Sequence, residues 1–542
     1  MRERAGWIWM VLIAVLLGAC SGEGQAPEPL SVRVLATGAN ISGANGMHFA
    51  PDGRLFVASV IGSELVVLNP DTGEVIERLA DGVNGPDDVA FNDAGDFYWT
   101  SILTGEVAGR TASGEQISAA RLTPGVNPLT FSDDGRLFVA QCFFDDKLFE
   151  VDPTGVIPPR LIADDLGPGC GLNGMDWGPD GRLYGPRWFE GQVVSFDVDE
   201  GDMRIEATGF QVPAAVKFDS HGVLHVLDTL AGAVIRVEGQ KQTVVATLEP
   251  GLDNLAFDAN DRLFVSSFVD GSVRRLEADG AQTVLQPGGM AHPGAMAAAQ
   301  TPDGVVIFVA DLHALRAFDA ATGESLWTER NVLGVGELGS VLAVAVDGDA
   351  LLLGAFTDNN VRIWDPSRKR ARARIDGMQL PVSAVRYGDV IAVAEHGSGQ
   401  VRALNAALPT VFATGLAAPT DLLTDGDRLW VSDRAAGRVL QIGAGGRRIE
   451  PVVVAEGLEA PEGLALWRER LLVREGESGK VYLLGASGPE LLVTLGAGSP
   501  PASEAQPPAM VLNDIVVVGD VLYGTNELDR QLVAVDLSSR VN

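Results

Sequence analysis

Residues 171–185 read GLNGMDWGPDGRLYG. An apolar stretch that starts on a polar residue, Asn173, runs into the turn Pro179-Asp180-Gly181 and returns through Arg182-Leu183-Tyr184. Asp-Gly between two apolar runs is a strong hairpin signal, because glycine takes a positive φ at no steric cost. The phrase recurs as NGMHFAPDGRLFVAS from Asn45, NPLTFSDDGRLFVAQ from Asn127 and DNLAFDANDRLFVSS from Asp253, and more loosely from Asp87 and Ala214. The spacing, roughly 40 residues, is the period of propeller blades.

A third and a fourth strand can be read after each hairpin, as in QVVSF from Gln192 and QTVVA from Gln242. Four short strands per period, with no amphipathic helix between them, is the propeller pattern. Six such units occupy residues 31–280, and six looser ones occupy 281–542, among them TPDGVVIFVADLHALRAF from Thr301 and DGDRLWVSDRAAGRVLQI from Asp425. The sequence therefore predicts an all-β chain of two tandem six-bladed propellers with four-stranded blades. The last unit has three strands, and residues 31–36 (SVRVLA) form an orphan strand. Since open sheet edges are avoided, the orphan is expected to complete the blade begun at Asp253. QTVLQ, from Gln282, is expected to complete the last unit, so that each ring is closed by its own N-terminal strand.

Residues 1–19 read as an address. Arg2 and Arg4 precede an apolar run too short to cross a bilayer comfortably, and it ends Leu17-Gly18-Ala19-Cys20. This resembles a bacterial lipobox, with Cys20 as the lipidated first residue and residues 20–30 as a flexible tether. Ser21, not aspartate, follows the cysteine. By analogy with lipoprotein sorting, that favours an outer-membrane lipoprotein facing the periplasm. The two remaining cysteines, Cys142 and Cys170, show no zinc spacing. They fall on one face of neighbouring blades, as a periplasmic disulfide or as two buried thiols. A formal net charge of −32 argues against a nucleic-acid partner and is compatible with a cation.

The innermost strand of a blade lines the central channel. Aligned on Phe49, Phe91, Phe131, Trp177, Phe218 and Phe257, the residues four earlier are Asn45, Asp87, Asn127, Asn173, Ala214 and Asp253. Five oxygen-bearing side chains at one repeat position form a ring of donors of the kind Ca²⁺ takes; alternatively, they start strands by bonding local backbone N–H groups. The second strands end near the same mouth, which places Ser59, Thr100, Gln141, Arg187, Asp228 and Ser266 around the first pocket. Arg187 could hold a substrate carboxylate or oxyanion. The same logic gives Asp311, Glu395, His396, Asp433, Arg474, Glu475 and Asn526 in the second ring. Glu395-His396 resembles the acid/base pairs of propeller lyases in residue type only.

The phrase NGMDWGPDGRLYG resembles the NGL-type strand of the senescence-marker-protein-30/gluconolactonase family, six-bladed metal-dependent lactone hydrolases. LDNLAFD, with Asp253 and Asn254, resembles a strand of the calcium-dependent paraoxonases, as does VLNDIVVVGDVLYGTNE around Asn513. The resemblance implies that Asn173 is a metal ligand and that a divalent metal, Ca²⁺ first, acts in hydrolysis of a lactone or ester. A channel carboxylate, Asp87 or Asp253, would then activate water. The family's glutamate has no counterpart at a first-ring channel position, so Asn45 or Asp87 would substitute. Glu462 and Asn513 form a possible second-ring site. The rival expectation is a non-catalytic module that presents a propeller face to a protein, peptide or glycan.

Overall fold

The computed structural model describes residues 29–277, 279–404, 410–485, 488–496, 498–499 and 512–540. The leader and the lipobox Cys20 lie outside the described residues. The described chain folds into twelve four-stranded antiparallel sheets, and its one helical element is the short 3₁₀ turn Ser538–Arg540.

The sheets of blades 1–3, 5 and 6 begin within one residue of where the repeated phrase predicts, and that of blade 4 begins at Asp176 rather than Asn173. The inner strands of blades 1–6 are Ala44–Phe49, Pro86–Phe91, Val126–Phe131, Asp176–Trp177, Pro213–Phe218 and Leu252–Phe257. In every one the aligned aromatic pairs with the same neighbour position: Phe49 with Leu55, Phe91 with Phe97, Phe131 with Leu137, Trp177 with Leu183, Phe218 with Leu224 and Phe257 with Leu263. The turn glycines adopt the left-handed conformation, as at Gly53 (φ 87°) and Gly181 (φ 76°). Where the phrase lacks that glycine, Asp261 takes φ 56° itself. Blades 7–12 start from Met296–Thr301, Val341–Asp347, Pro381–Tyr387, Pro419–Thr424, Pro461–Trp467 and Ile515–Val518.

The inner strand of blade 1 packs against those of blades 2 and 6, and that of blade 12 against those of blades 7 and 11. Two six-membered rings result. Their core is a succession of apolar clusters clamped between neighbouring sheets, such as Phe56, Leu65 and Val67 against Val89 and the fully buried Trp99.

The closing strands are exchanged relative to the expectation. Gln282–Gln286 pairs with Val273–Leu276 and stays in its own blade 6. The N-terminal strand Val32–Thr37 pairs instead with Gln531–Asp536 and completes blade 12. The chain thus begins in the second ring, builds the whole first ring, and returns. The outgoing and returning segments lie side by side, with Ala39 N donating to Met290 O (2.9 Å). The blade set forces this assignment: blade 6 already has a covalently adjacent fourth strand, so the open edge is at blade 12.

The rings meet through the first-ring loops that follow the second strands. Phe268 lies 4.8 Å from His313, Trp188 Nε1 donates to Leu333 O (3.2 Å), and Asp270 pairs with Arg330 (2.7 Å). Ile61 of the first ring shares one apolar cluster with Leu312, Leu342, Phe356 and Val382 of the second. Cys142 and Cys170 are joined by a disulfide beside this contact, in one cluster with Trp188 and Val332.

Deleting residues 31–36 is expected to expose the edge of Gln531–Asp536 and loosen the second ring, leaving the first ring's inner strands protected. Hydrogen exchange comparing Gln531–Asp536 with Ala44–Phe49 checks this; greater loss of protection in Ala44–Phe49 would contradict the pairing.

Candidate functional site

The inner strands are held together by a device that repeats in four blades. Near the end of the second strand a hydroxyl accepts from its own inner strand and donates to a carbonyl of the next blade. Thr100 accepts from Asp88 N and donates to Asn127 O. Ser266 bridges Asn254 N and Asn45 O (3.1 and 2.6 Å), Ser432 bridges Asp421 N and Glu462 O (2.9 and 2.8 Å), and Thr525 bridges Asp514 N and Gly294 O (3.1 and 2.7 Å). Three of the partners are carboxylates that also cap a backbone N–H of the next blade: Asp88 caps Leu129, Asp421 caps Leu464 and Asp514 caps Met296. Thr525 with Asp514 closes the second ring, and Ser266 closes the first.

The glycine of the NG phrase belongs to this packing. A Cβ on Gly46 would lie 2.0 Å from Asp88 Oδ1, and one on Gly174 would lie 2.4 Å from Ala215 Cβ. Gly463 meets Asp514 in the same way. The strand phrases that resemble the hydrolases thus have a packing role that is independent of any ligand.

Most residues placed at the mouth by sequence reasoning brace the loop leading into their own blade. Asp228 accepts from Gln211 N and Val212 N (2.6 and 3.0 Å), and Asp433 from Ala417 N and Ala418 N (2.9 Å each). Asp311 accepts from His292 N, and Glu475 from Glu459 N (2.7 Å). Ser59 donates to Ser42 O, Gln141 to Thr123 O and Asn526 to Leu495 O. Arg187 does the same: its Nε donates to Leu166 O (2.9 Å) and its Nη1 to Gln192 (3.2 Å). Glu395 is paired with Arg402 (3.2 Å).

Asn45, Asp87 and Asn127, in the inner strands of blades 1–3, and Asn173, ahead of that of blade 4, are buried, and Asp253 keeps part of its surface open. Neither the Asp87 nor the Asp253 carboxylate has a hydrogen-bond partner among the described residues. Asn45 Oδ1 is likewise buried without one. Burial raises Asp87 well above the carboxylate range, and the charges of Asp253 and Asp88 add to it. Asp253 is pushed up to about 8 by burial and then by Asp88.

One tier deeper, sequence reasoning missed a polar group. Lys217 Nζ donates to Met175 O (2.7 Å) and lies 3.7 Å from Asp176. Burial, with the charge of Lys217 next, lowers His48 to about 4 and leaves it neutral. The signal was present: His48, Asp176 and Lys217 all stand immediately before the aligned aromatic. Lys217 offsets Asp88 and Asp176 but not Asp87 or Asp253, which leaves an excess of acid groups among the described residues.

The second-ring pair is brought together but its donors are spent. Glu462 accepts from Arg434 Nε (2.9 Å) and from Asn513 N and Nδ2 (2.8 and 3.2 Å). Asn513 Oδ1 accepts from Arg474 and from Glu527 N. Two guanidinium groups beside these oxygens disfavour a cation there. No group of three or more His, Cys, Asp or Glu side chains able to hold a metal occurs among the described residues. The first-ring set has two carboxylates and three amides.

A family model described as outer membrane protein assembly factor BamB matches residues 220–449, from the last blades of the first ring into blade 10. No curated protein matches the chain. Virginiamycin B lyase from Staphylococcus aureus aligns at 16% identity over 54% of this chain and 94% of that one, with a TM-score of 0.33. A streptogramin B lyase aligns at 13% over 52% and 94%, with a TM-score of 0.37. The extracellular domain of a hybrid two-component system from B. thetaiotaomicron aligns at 9% over 95% and 82%, with a TM-score of 0.33. The chain is a double β-propeller.

Ser266→Ala is expected to destabilise the first ring by about 1–3 kcal/mol, because it leaves Asn254 N and Asn45 O unsatisfied in a buried position. Urea denaturation checks this; a change within error would remove the hydroxyl from the list of closing interactions.

Proposed function

We propose that the chain is a non-catalytic binding module of the bacterial cell envelope, a lipid-anchored double propeller whose first ring is fastened by a divalent cation on its axis. The observation that carries the cation is a set of oxygens without hydrogen-bond partners among the described residues: the desolvated Asp87 and Asp253 carboxylates and the buried Asn45 Oδ1, with Asn127 and Asn173 at the same repeat position. Buried unpaired carboxylates are costly, and they are relieved either by taking up a proton or by a cation. Ca²⁺ suits carboxylate and amide oxygens.

Binding is preferred to catalysis because the mouth-side side chains are committed to bracing the loops that lead into their blades, and Trp188, Phe268 and Asp270, which follow the second strands, contact the second ring. Arg187, the residue expected to hold a substrate, braces its own loop. Lactone or ester hydrolysis, which the resemblance to the gluconolactonase family implies, would need substrate at Asp87 and Asp253. The Cys142–Cys170 disulfide fits an oxidising compartment, and the matched BamB description names an outer-membrane assembly factor. Both favour the envelope.

The pH dependence follows from the raised acids. In metal-free protein Asp87 and Asp253 hold protons in the native state that the unfolded chain has released, so their contribution to stability is fully present below about pH 4 and is lost as pH rises through about 8. Cation binding must displace those protons, so Ca²⁺ affinity rises across the same window. Calorimetric titration at pH 5.5 and pH 8, as roughly chosen to bracket that window, should show tighter binding at the higher pH. Asp253→Asn should weaken it at least about tenfold while raising the melting temperature of the metal-free protein. Equal affinities in wild type and variant, or no binding by either, would remove the cation. A chelator-sensitive lactonase or esterase activity that returns with Ca²⁺ would instead establish the hydrolytic reading.

Cys20→Ala is expected to release the protein from membranes. Retention of the variant in the membrane fraction would show that the anchor lies elsewhere.

A further inference from the structure

Where the rings join, two adjoining cavities of about 390 and 360 Å³ share Asp270, Arg274 and Arg330 in their walls. Each is within the size range of small-molecule sites. The crevice is walled by both rings: Arg274 is on the first-ring strand Val273–Leu276, and Arg330 ends the second-ring strand Ser325–Arg330. The paired segments that lead out of and back to the second ring form part of it, through Thr37 and Gly289.

The two guanidinium groups are incompletely used. Arg330 Nη2 donates to Asp270 (2.7 Å), but Arg330 Nη1 is buried with no hydrogen-bond partner. Arg274 makes no ion pair among the described residues, and its one bond is long, Nη1 to Gln282 Oε1 at 3.4 Å. Asp270 is itself satisfied. Burial alone would raise it, but Arg330 and Ser272 hold it below the usual carboxylate range. A third guanidinium, Arg316, backs the crevice and is fully engaged by Asp311 and Gly289 O. The acids in the walls are Asp270, already paired, and the exposed Glu249 at the rim. In a chain of net charge −32 this is a local site of unspent positive donors.

We propose that this crevice binds the oxyanion head of a small organic acid or phosphate, with Arg274 and Arg330 donating to it from opposite rings. Guanidinium forks match carboxylate and phosphate geometry, and such charge-assisted bonds are among the stronger ones. Because the donors belong to different rings, the bound anion fixes the angle between them. An occupied crevice therefore stiffens the two-strand hinge formed by the segments around Ala39 and Met290.

The test uses the full-length protein with succinate and with inorganic phosphate as probes, followed by calorimetry and by hydrogen exchange of the hinge. Saturable binding of either probe is expected, with slower exchange in residues 38–43 and 287–294. Succinate alone points to an organic acid, and phosphate alone to a phosphorylated or inorganic ligand. Arg274→Gln should weaken binding at least about tenfold, the loss of one charge-assisted contact. Arg274→Lys should restore part of it, keeping the charge without the fork. Arg204→Gln, on an exposed strand of blade 4, should leave it unchanged. Failure of both probes to saturate, or equal affinities in wild type and Arg274→Gln, would overturn the proposal, as would an equal loss in Arg204→Gln.

Discussion

A propeller ring is complete only when its last blade bonds to its first. In the second ring that bond is a hydroxyl and a carboxylate: Thr525 reaches Gly294 O, and Asp514 reaches Met296 N. In the first ring it is Ser266 reaching Asn45 O. The same two seams also hold Arg262 to Asp71 (2.5 Å) and the apolar clusters of Met47 with Phe264 and of Met296 with Tyr523, while contacts away from the seams join blades that are neighbours in the chain. The closing bonds are the long-range step, joining residues 221 and 231 positions apart. Loop-closure entropy makes them the last contacts to be gained and the first to be lost. Burial strengthens them, because at the axis water cannot replace a lost partner.

The same burial sets the electrostatics of the site. A carboxylate that caps a neighbouring blade, such as Asp88, has N–H donors and the Lys217 ammonium to offset its desolvation, and rises only to about 6. Asp87, one residue earlier, has neither and rises further. The contrast separates two roles along one strand. Asp88 is structural whatever the ring binds. Asp87 and Asp253 are not accounted for by the fold, and a cation is the simplest group that would satisfy them together with Asn45. The second ring shows the other solution: Glu462 is matched by Arg434, and its neighbour Asn513 by Arg474.

Much of this was legible in the sequence. The Asp-Gly turns and the aligned aromatics set strand boundaries and register through the first ring, because turn chemistry and the two-residue alternation are local. The shared repeat position of Asn45, Asp87, Asn127, Asn173 and Asp253 came from the same alignment. The exchange of closing strands did not. SVRVLA and QTVLQ are both short, alternating outer strands, and either edge would accept either one by pattern alone. The bracing of the loops was also hidden, since a carboxylate at Asp228 and Asp433 and a guanidinium at Arg187 do one job. The hydroxyl clasp did leave a trace. DDV with WTS, DNL with VSS, TDL with VSD and NDI with GTN pair an acid or amide early in the first strand with a hydroxyl late in the second. Read by residue type, two of these phrases look like metal strands; read by spacing, they are blade fasteners.

The route of the chain links the two rings more firmly than a tandem arrangement would. In a tandem pair one linker joins two complete rings, and either could turn freely about it. Here the second ring owns the first strand of the fold as well as the last, so the first ring hangs from two segments. Ala39 and Met290 bond those segments to each other, and Arg530 fastens the outgoing one through Ala39 O and Ser42. Two segments restrain torsion between the rings more than one linker would. The groups that respond to a change of angle are the ones that face each other across the junction: Asp270 with Arg330, Phe268 with His313, and Trp188 with Leu333. A ligand that bridges the junction selects the angle it binds best, because it shifts the equilibrium by its differential affinity.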